Sequence, residues 1–279
     1  MKTDLEEIKG LINEAKAIVI GAGSGLSAAA GFEYGGKAFK DNFEYMAKKY
    51  HVHDMYSAGF APFESEEEFW GYWSKFIYLE RYKDGAKPLY QELLRLMHYK
   101  NYFVITTNVD HQFQLAGFNK SRLFYTQGDY GLFQSTNPKN NHKTYDNEKT
   151  VREMVENTDP NTHEIPSYLI PVCPDDGYKM TTNLRCDDSF VQDDGWYKAY
   201  DRYEKFLSEN RTGEVLYLEL GVGYNTPVII KYPFWKFTYS NPEARYVTVG
   251  LGDQGVPQEI KDRSYVLNMD LKEFTEVLL

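Results

Sequence analysis

A buried strand that runs straight into a glycine-rich turn constrains the fold of this chain more than any other sequence feature. The run Ala17–Ile20 is entirely apolar, and Gly21-Ala22-Gly23 follows it without a polar break. Between Leu5 and Ala15 the apolar residues fall on one face of a helix. Strands that are buried on both faces belong to parallel sheets covered by helices, so this opening predicts an α/β protein.

Further short apolar runs recur along the chain, and most of them adjoin a helical pattern. The runs are Tyr102–Ile105, Arg122–Tyr125, Val215–Leu218, Tyr246–Val249 and Tyr265–Leu267. This alternation predicts a Rossmann-like, mostly parallel sheet.

Two stretches interrupt the alternation of strands and helices. Residues 38–82 have a helical pattern, in which Ser65 and Glu68 form a capping box ahead of an aromatic stripe that we interpret as core packing. Residues 132–195 are rich in Asn, Asp, Pro and Thr, and the stretch is too long for a simple loop. We therefore predict one domain over residues 1–279 that carries an inserted small domain, made of a helical module and a second small module.

The charge balance excludes some classes of partner. The chain of 279 residues has 31 Lys and Arg against 41 Asp and Glu, a formal charge of -10, which disfavours nucleic acid and membrane surfaces. No window approaches the roughly 18 consecutive apolar residues of a spanning helix. Met1–Glu7 lacks the basic start of a secretory signal, and two cysteines fit a reducing compartment. The sequence therefore predicts a cytoplasmic protein.

The glycine-rich turn is a candidate phosphate-binding loop. Glycines there let the backbone approach a diphosphate, while N–H groups at the start of the next helix point at the anion. The dehydrogenase fingerprint requires a third glycine where this chain has Leu26. A tight structural turn would require the same glycines, and both interpretations stay open at this point.

Polar or glycine-rich turns follow three further strands, at Thr106–Asp110, Thr126–Asp129 and Gly221–Asn225. Ligands of open α/β sheets bind at the carboxyl ends of the strands, so these turns predict a nucleotide crevice. The alternative for Asn108 or Asp110 is a cap on the helix that ends near Gly117.

Four motifs together resemble the sirtuin family of NAD-consuming enzymes, in the family's order. They are Gly21–Gly23 with Leu26–Gly31 for G-A-G-x-S (with Ser24 and Gly25 as extra residues), Thr106–Asp110 for T-Q-N-x-D, Gln127-Gly128 for H-G, and Gly221–Gly223 for G-T-S. The resemblance covers most of the chain and implies NAD as a consumed substrate.

The departures from the family pattern bear on the reaction. Gln127 stands where sirtuins have the histidine that acts as general base in deacylation, and a carboxamide does not titrate in the useful range. The family's P-D-F-R stretch is missing, with Glu33-Tyr34 near its place. We therefore expect little or no lysine deacylation and a different arrangement around the nicotinamide half of NAD.

The zinc module of sirtuins is degenerate in this chain. Sirtuins hold zinc with two C-x-x-C pairs, whereas here Cys173 and Cys186 stand alone, one in each half. Neighbouring aspartates could complete a site, but paired thiolates are what select zinc. We regard zinc as doubtful and predict no metal ligand, with the zinc-ribbon-like module held by packing.

Within the sirtuins, the pattern is similar to the macrodomain-linked microbial group known as class M. The similarity lies in Gly25–Gly31, Gln127 and Gly221–Pro227. It implies protein ADP-ribosyltransferase activity, a lipoylated carrier protein of the glycine-cleavage type as acceptor, and a macrodomain protein as functional partner.

These inferences lead to a predicted site. We expect Asn108, Asp110 and Gln127 to act in catalysis. Predicted cofactor contacts are Gly21, Ala22, Gly23, Ser27, Glu33, Tyr34, Thr107, Asn108, Asp110, Gln127, Gly221, Gly223, Asn225, Asn268 and Asp270. Two alternatives stay open: a non-catalytic sensor of NAD or ADP-ribose, which Gln127 would also permit, and a Rossmann dehydrogenase, which Leu26 disfavours.

Overall fold

The chain divides into two compact units, described by a computed structural model that covers residues 2–252 and 254–279. The sheet unit comprises the described residues up to Ala30, Ala86–Gln127 and Asp194–Leu279. The inserted unit comprises Gly31–Gly85 and Gly128–Asp193. Strands and helices are numbered below in chain order.

Six parallel strands form the sheet of the sheet unit, and they correspond to the six apolar runs predicted as strands. They are β1 (Ala17–Ala22), β2 (Tyr102–Thr106), β3 (Leu123–Tyr125), β7 (Val215–Leu220), β8 (Arg245–Gly250) and β9 (Ser264–Asn268). The spatial order is β3-β2-β1-β7-β8-β9, so the order reverses between β1 and β7, where Ala22 lies opposite Leu220. Doubly wound folds bind ligands at such a reversal, beyond the carboxyl ends of the strands.

Helices cover both faces of this sheet, which confirms the predicted α/β class. They are α1 (Lys2–Glu14), α2 (Ser24–Ala29), α6 (Pro88–Leu96), α7 (Gln112–Leu115), α9 (Asp194–Glu209), α10 (Lys231–Ser240) and α11 (Leu271–Leu278). Side chains of β1 alternate between two apolar cores, because Ile18 and Ile20 pack with α1, α6 and α11, and Val19 packs with α9 and α10. Within the described residues, no helix is both long enough and apolar enough to cross a bilayer.

The turns that follow β1 and β7 pack backbone against backbone. Gly221 has a φ of 62°, and a Cβ built on it would lie 2.3 Å from the Leu26 nitrogen. A Cβ on Gly23 would lie 2.7 Å from the Gly221 carbonyl oxygen. Real side chains do not fit at such distances, so these two glycines are required by the packing of the chain itself.

Replacing Gly221 by alanine is therefore expected to destabilise the protein by about 2–4 kcal/mol, since it adds a backbone clash to an unfavourable φ. Gly10→Ala is the matched control. Gly10 lies in α1 with no atom within 4 Å of the added Cβ, and this change is expected to stabilise by about 0.5–1 kcal/mol. Urea unfolding of both variants measures the difference, and equal midpoints would contradict the packing argument.

The inserted unit combines helices with a small antiparallel sheet of order β5-β4-β6. Its elements are α3 (Gly36–Tyr50), α4 (Met55–Ala58), α5 (Glu66–Ile77), one π-helical turn (Tyr78–Tyr82), β4 (Gly128–Ser135), β5 (Tyr145–Asp146), α8 (Glu148–Asn157) and β6 (Met180–Leu184). The two sequence stretches that interrupt the strand and helix alternation thus contribute to one unit.

The start of α5 shows half of the predicted capping box. Ser65 Oγ accepts the Glu68 N–H at 3.0 Å, whereas Glu68 Oε2 accepts the N–H of Glu64 at 3.0 Å rather than that of Ser65. Trp70 and Phe76 on this helix are buried. Core packing is therefore the correct interpretation of the aromatic stripe.

Hydrogen bonds join the segment around Cys173, in the module that the sequence predicts to be held without metal. The buried Cys173 thiol donates to the Tyr145 hydroxyl at 3.2 Å. Asn140 Nδ2 donates to Asp176 Oδ2 at 3.0 Å. Cys186 is exposed, and among residues 2–252 and 254–279 no group of three or more His, Cys, Asp and Glu is placed to hold a metal ion.

Candidate active site

A cleft of about 400 Å³ opens at the carboxyl ends of the strands, beside the reversal of strand order. Its volume lies within the range of roughly 300–1,000 Å³ that is usual for small-molecule sites. The cleft is lined by Ser24, Gly25, Ala28, Ala29, Gly221, Val222, Gly223, Gly250, Leu251, Gln254, Met269, Asp270 and Leu271. Small residues predominate, so a ligand can lie close to the backbone of the two turns.

The cleft includes three of the predicted cofactor contacts, Gly221, Gly223 and Asp270. A Cβ on Gly223 would meet no atom of residues 2–252 and 254–279 within 4 Å, so no packing contact among these residues explains this glycine. Asp270 also caps α11, because its Oδ1 accepts the Lys272 N–H at 2.8 Å. The predicted contact Asn225 is exposed in the segment before α10.

Asn268 and Gly21 have structural roles of their own. Asn268 Oδ1 accepts the Gly252 N–H at 3.0 Å. Gly21 is buried inside β1 with Ala22, and a Cβ on Gly21 would lie 2.3 Å from Ile230 Cγ2. Close packing beneath α10 is therefore sufficient to explain this glycine.

The backbone donors of the glycine turn differ from the sequence-based expectation. The Gly23 N–H donates to the Leu220 carbonyl at 3.0 Å, and the Gly25 N–H donates to the Gly221 carbonyl at 2.9 Å. Both groups are thus satisfied inside the protein. The prediction that free N–H groups at the start of the helix point at an anion is therefore wrong for Gly25, whose N–H is taken by the turn after β7. The N–H of Gly23, just before the helix, is taken by the last residue of β7.

A buried polar cluster lies next to the turn after β1, and α2, α6 and the segment after β2 contribute to it. Its members are Ser27, Tyr90, Asn108 and Asp110, all at most 9% exposed. Ser27 Oγ donates to Asp110 Oδ2 at 2.5 Å, and the Tyr90 hydroxyl donates to the same oxygen at 3.3 Å. The cluster brings together three residues that the sequence analysis selected and one that it missed.

Asp110 accepts hydrogen bonds both from the first residue of α7 and from the polar cluster. Its Oδ1 accepts the N–H of Gln112, the first residue of α7, at 3.0 Å. Its Oδ2 accepts the hydroxyl groups of Ser27 and Tyr90. Only 2% of its surface is exposed. Asp110 is thus not the cap of α7, since the N-cap position is His111, although its Oδ1 bonds the first N–H of that helix. This bond is compatible with a role in the site, because the two oxygens have different partners.

Asn108 is oriented by hydrogen bonds from its amide nitrogen. Its Nδ2 donates to the Gly23 carbonyl at 3.0 Å and to the Tyr90 hydroxyl at 3.3 Å. Both amide hydrogens are thereby used, with the amide oriented by its hydrogen bonds. The backbone N–H of Asn108 donates to Thr106 Oγ1 at 3.0 Å, which fixes the start of the segment. These bonds leave Oδ1 as the side-chain atom of Asn108 that they do not use.

Tyr90 is the member that sequence reasoning missed. It is completely buried on α6, and both burial and the negative charge of Asp110 raise its pKa well above its usual value. The phenol therefore keeps its proton and remains a donor. Its hydroxyl is the only hint in the sequence, on a helix face that otherwise carries Leu89 and Leu93.

Gln127 follows β3, and the residue before it is fixed by two hydrogen bonds. The preceding Thr126 donates to the Thr106 carbonyl through its N–H at 2.9 Å, and its own carbonyl accepts Trp196 Nε1 at 3.2 Å. Gln127 itself is half-buried. Thr107 is also half-buried, and its N–H donates to the Ala22 carbonyl at 3.1 Å.

Glu33 and Tyr34 belong to the inserted unit. Glu33 is exposed. Tyr34 is half-buried and packs edge-on against Phe76, with 5.8 Å between the ring centroids. Their contact with a cofactor stays a prediction.

Solved structures of similar fold include several Sir2 complexes. A Sir2 mutant with a p53 peptide and NAD aligns with a TM-score of 0.64 at 20% identity, over 98% of this chain and 96% of that chain. Sir2 bound to an acetylated peptide aligns with a TM-score of 0.58 at 21% identity, over 98% and 95% of the two chains. These matches show the fold. No family model matches the chain.

A protein ADP-ribosyltransferase of Staphylococcus aureus is 35% identical over 267 residues, which cover 95% of this chain and 84% of the relative. The chain belongs to the sirtuin family of protein ADP-ribosyltransferases. A probable bifunctional ADP-ribose hydrolase/ADP-ribosyltransferase of Fusarium oxysporum is 31% identical, over 90% of the transferase described here and 43% of its own length.

Family membership confirms the sirtuin resemblance and decides between the alternatives that the sequence left open. The protein is an NAD-dependent ADP-ribosyltransferase, which excludes the dehydrogenase alternative. NAD is its substrate, and the small residues of the cleft are suited to a dinucleotide that lies close to the backbone.

Proposed function

We propose that this transferase moves ADP-ribose from NAD onto a lipoylated carrier protein of the glycine-cleavage type, with little or no lysine deacylase activity. Gln127 carries the second part of the proposal, because the residue that follows β3 has no titrating group to act as a base. The class M resemblance supports the choice of acceptor. A cytoplasmic location stays a prediction from the sequence.

In this proposal the adenosine half of NAD binds in the cleft, against Gly221, Gly223 and Asp270. Asn225 and Asn268 would contact its outer end, and the diphosphate would cross the turn at Gly23, beyond the buried β1 residues Gly21 and Ala22. The cleft supports this placement, because its floor is formed by the turns after β1 and β7. Glu33 and Tyr34 would contact the nicotinamide half, in place of the missing P-D-F-R segment.

The nicotinamide ribose would face the segment after β2 and the end of β3, near Thr107, Asn108 and Gln127. When the bond between the sugar carbon and nicotinamide breaks, the electron pair leaves with nicotinamide, and positive charge develops on the sugar. A nucleophile of the acceptor then forms the new bond to that carbon and releases its proton to water. Positioning and charge complementarity dominate such a reaction, so no base is required at Gln127.

The cluster geometry favours distinct roles for its members. Asn108 Oδ1 would accept a ribose hydroxyl. Asp110 is too buried to touch much of the substrate. It would instead position Ser27 directly, and Asn108 through the Tyr90 hydroxyl. Gln127 would hydrogen-bond to the ribose or the acceptor without taking a proton.

A macrodomain protein is proposed as functional partner. The name of the fungal relative joins ADP-ribose hydrolase and ADP-ribosyltransferase activities in one polypeptide, of which the present chain matches 43%. A hydrolase of that kind would remove the modification that this transferase adds.

The test incubates the protein with NAD and either a lipoylated glycine-cleavage carrier or an acetyl-lysine peptide, and follows protein mass and free nicotinamide in the same tubes. We expect a mass increase of one ADP-ribose on the carrier, an unchanged peptide and an equal amount of nicotinamide. Gln127→Ala should lower transfer about tenfold, since it removes one hydrogen bond to the reacting groups.

The same carrier without lipoyl groups is the control for the acceptor. Equal labelling of both carriers would contradict the role of the lipoyl group, and deacetylation of the peptide would contradict the argument from Gln127. Binding of NAD without any release of nicotinamide in the presence of the lipoylated carrier would contradict the choice of acceptor.

A further inference from the structure

A completely buried ion pair lies near the carboxyl end of β7, the strand whose following turn lines the cleft. Lys231 Nζ donates to Glu219 Oε1 at 2.5 Å, and both side chains are 0% exposed. Glu219 is the second-last residue of β7, two positions before Gly221, and Lys231 is the first residue of α10. The pair thus joins the two ends of the segment that includes the cleft residues Gly221, Val222 and Gly223.

The same carboxylate is linked to β8 and to the segment after it, which also lines the cleft. Glu219 accepts the Tyr246 hydroxyl at 2.8 Å and the Thr248 hydroxyl at 3.1 Å, both from β8. Thr248 Oγ1 also lies 3.3 Å from Oε1 of Gln254, a residue that lines the cleft.

The ammonium of Lys231 lies close to two aromatic rings, one in the segment after β7 and one in α10. It is 5.0 Å from the ring centroid of Tyr224 and 5.9 Å from that of Trp235. Tyr224 belongs to the segment that runs from the cleft residues to α10. The pair and its partners therefore contact the segments that follow β7 and β8, both of which line the cleft.

Such a pair is not the expected way to stabilise a core. A strand buried on both faces is normally apolar, and Leu218 and Leu220 follow that rule on either side of Glu219. The desolvation of two charges cancels much of their attraction, so an apolar pair of similar volume would stabilise the fold equally well or better. The physical reason for charges here is directional, because a carboxylate accepts several hydrogen bonds at defined angles.

We propose that Glu219 and Lys231 are positioning residues. They hold the segments that follow β7 and β8 in the arrangement that binds the adenosine half of NAD. This inference rests on the placement of NAD in the cleft made under the proposed function. Neither residue would touch the cofactor. Each would act through Tyr224, Thr248 and Gln254.

The test removes the pair without leaving one charge buried alone. Glu219→Gln and Lys231→Met keep the shape of both side chains, and the double variant avoids the unpaired charge that each single variant would create. Calorimetric titration with ADP-ribose measures the site without an acceptor protein, and nicotinamide release gives KM for NAD and kcat.

We expect the double variant to unfold cooperatively, which shows that it is folded. It should bind ADP-ribose about tenfold more weakly, because the segments after β7 and β8 would adopt the binding arrangement only about one-tenth of the time. KM for NAD should rise by the same factor, while kcat at saturating NAD stays within about twofold. Wild-type affinity and KM in the folded double variant would overturn the proposal.

Thr248→Val covers the case in which the double variant does not fold. It replaces one hydroxyl by a methyl group and leaves the ion pair intact, and we expect ADP-ribose binding about threefold weaker because one link to Gln254 is lost. Unchanged affinity in Thr248→Val would argue against the link. The control Lys205→Met with Glu209→Gln removes an exposed pair on α9 and should change nothing.

Ala28→Trp separates this proposal from the placement of NAD. Ala28 is exposed and lines the cleft, so the added indole should block it. Wild-type binding of ADP-ribose by Ala28→Trp would show that the cleft is not the cofactor site. Weak binding by Ala28→Trp together with normal binding by the double variant would overturn only the role of the ion pair.

Discussion

Asn108→Ala is expected to lower the rate of ADP-ribose transfer about 100-fold or more, which is the usual cost of removing one positioned group from a reaction centre. In the proposed function Asn108 Oδ1 accepts a ribose hydroxyl, and the alanine variant has no equivalent atom. The variant also leaves the Gly23 carbonyl without its Asn108 partner, which should cost about 1 kcal/mol of unfolding free energy. Single-turnover labelling of the carrier measures the rate, and urea unfolding measures the stability.

Asn119→Ala is the matched control for this change. Asn119 also makes a side-chain hydrogen bond to the backbone, since its Oδ1 accepts the Ser121 N–H at 2.9 Å, but it is exposed and is not one of the predicted site residues. We expect a comparable small loss of stability and a normal rate. Near wild-type labelling by Asn108→Ala would remove Asn108 from the mechanism.

Asp110→Ala is expected to be the most damaging single change in the cluster. It leaves the Ser27 hydroxyl, the Tyr90 hydroxyl and the Gln112 N–H without their shared acceptor, and buried donors without a partner should together cost on the order of 3 kcal/mol or more. Transfer per folded molecule should fall about 100-fold, because Tyr90 and Asn108 lose the anchor that positions them.

Tyr90→Phe provides a graded comparison with Asp110→Ala. It removes one hydroxyl and leaves Asp110 bonded to Ser27 and Gln112, so we expect a loss of about 1 kcal/mol in stability and about tenfold in rate. If Asp110→Ala lost stability but kept the full rate per folded molecule, Asp110 would only bond the first N–H of α7 and would have no role in positioning.

The strands of the sheet unit were predictable because the signal is local. Each apolar run, such as Ala17–Ile20 or Val215–Leu218, is shielded on both faces, and such burial leaves an unbroken hydrophobic stretch in the sequence. The polar turns were recognised for the same reason, since they directly follow the runs. Asn108, Asp110 and Ser27 could be selected in this way, although their shared hydrogen bonds could not.

The predicted role of the glycine turn was only partly correct. The sequence could not distinguish a glycine that makes room for a ligand from one that makes room for another loop. The structure shows that Gly23 and Gly221 make room for each other's turns, whereas Gly223 has open space beside it. That distinction depends on which segment lies opposite, and the opposite segment is about 200 residues away in the chain.

The sequence by itself determined the α/β class, the order of the strands along the chain, the family and the residue type at Gln127. Only the tertiary structure decided that Tyr90 joins Asp110, that Glu219 pairs with Lys231, and which glycines line the cleft. Periodicity and turn chemistry report each residue's immediate neighbours in the chain. Buried hydrogen bonds and ion pairs instead join residues from separate elements, so their partners exist only once the sheet and its helices have assembled.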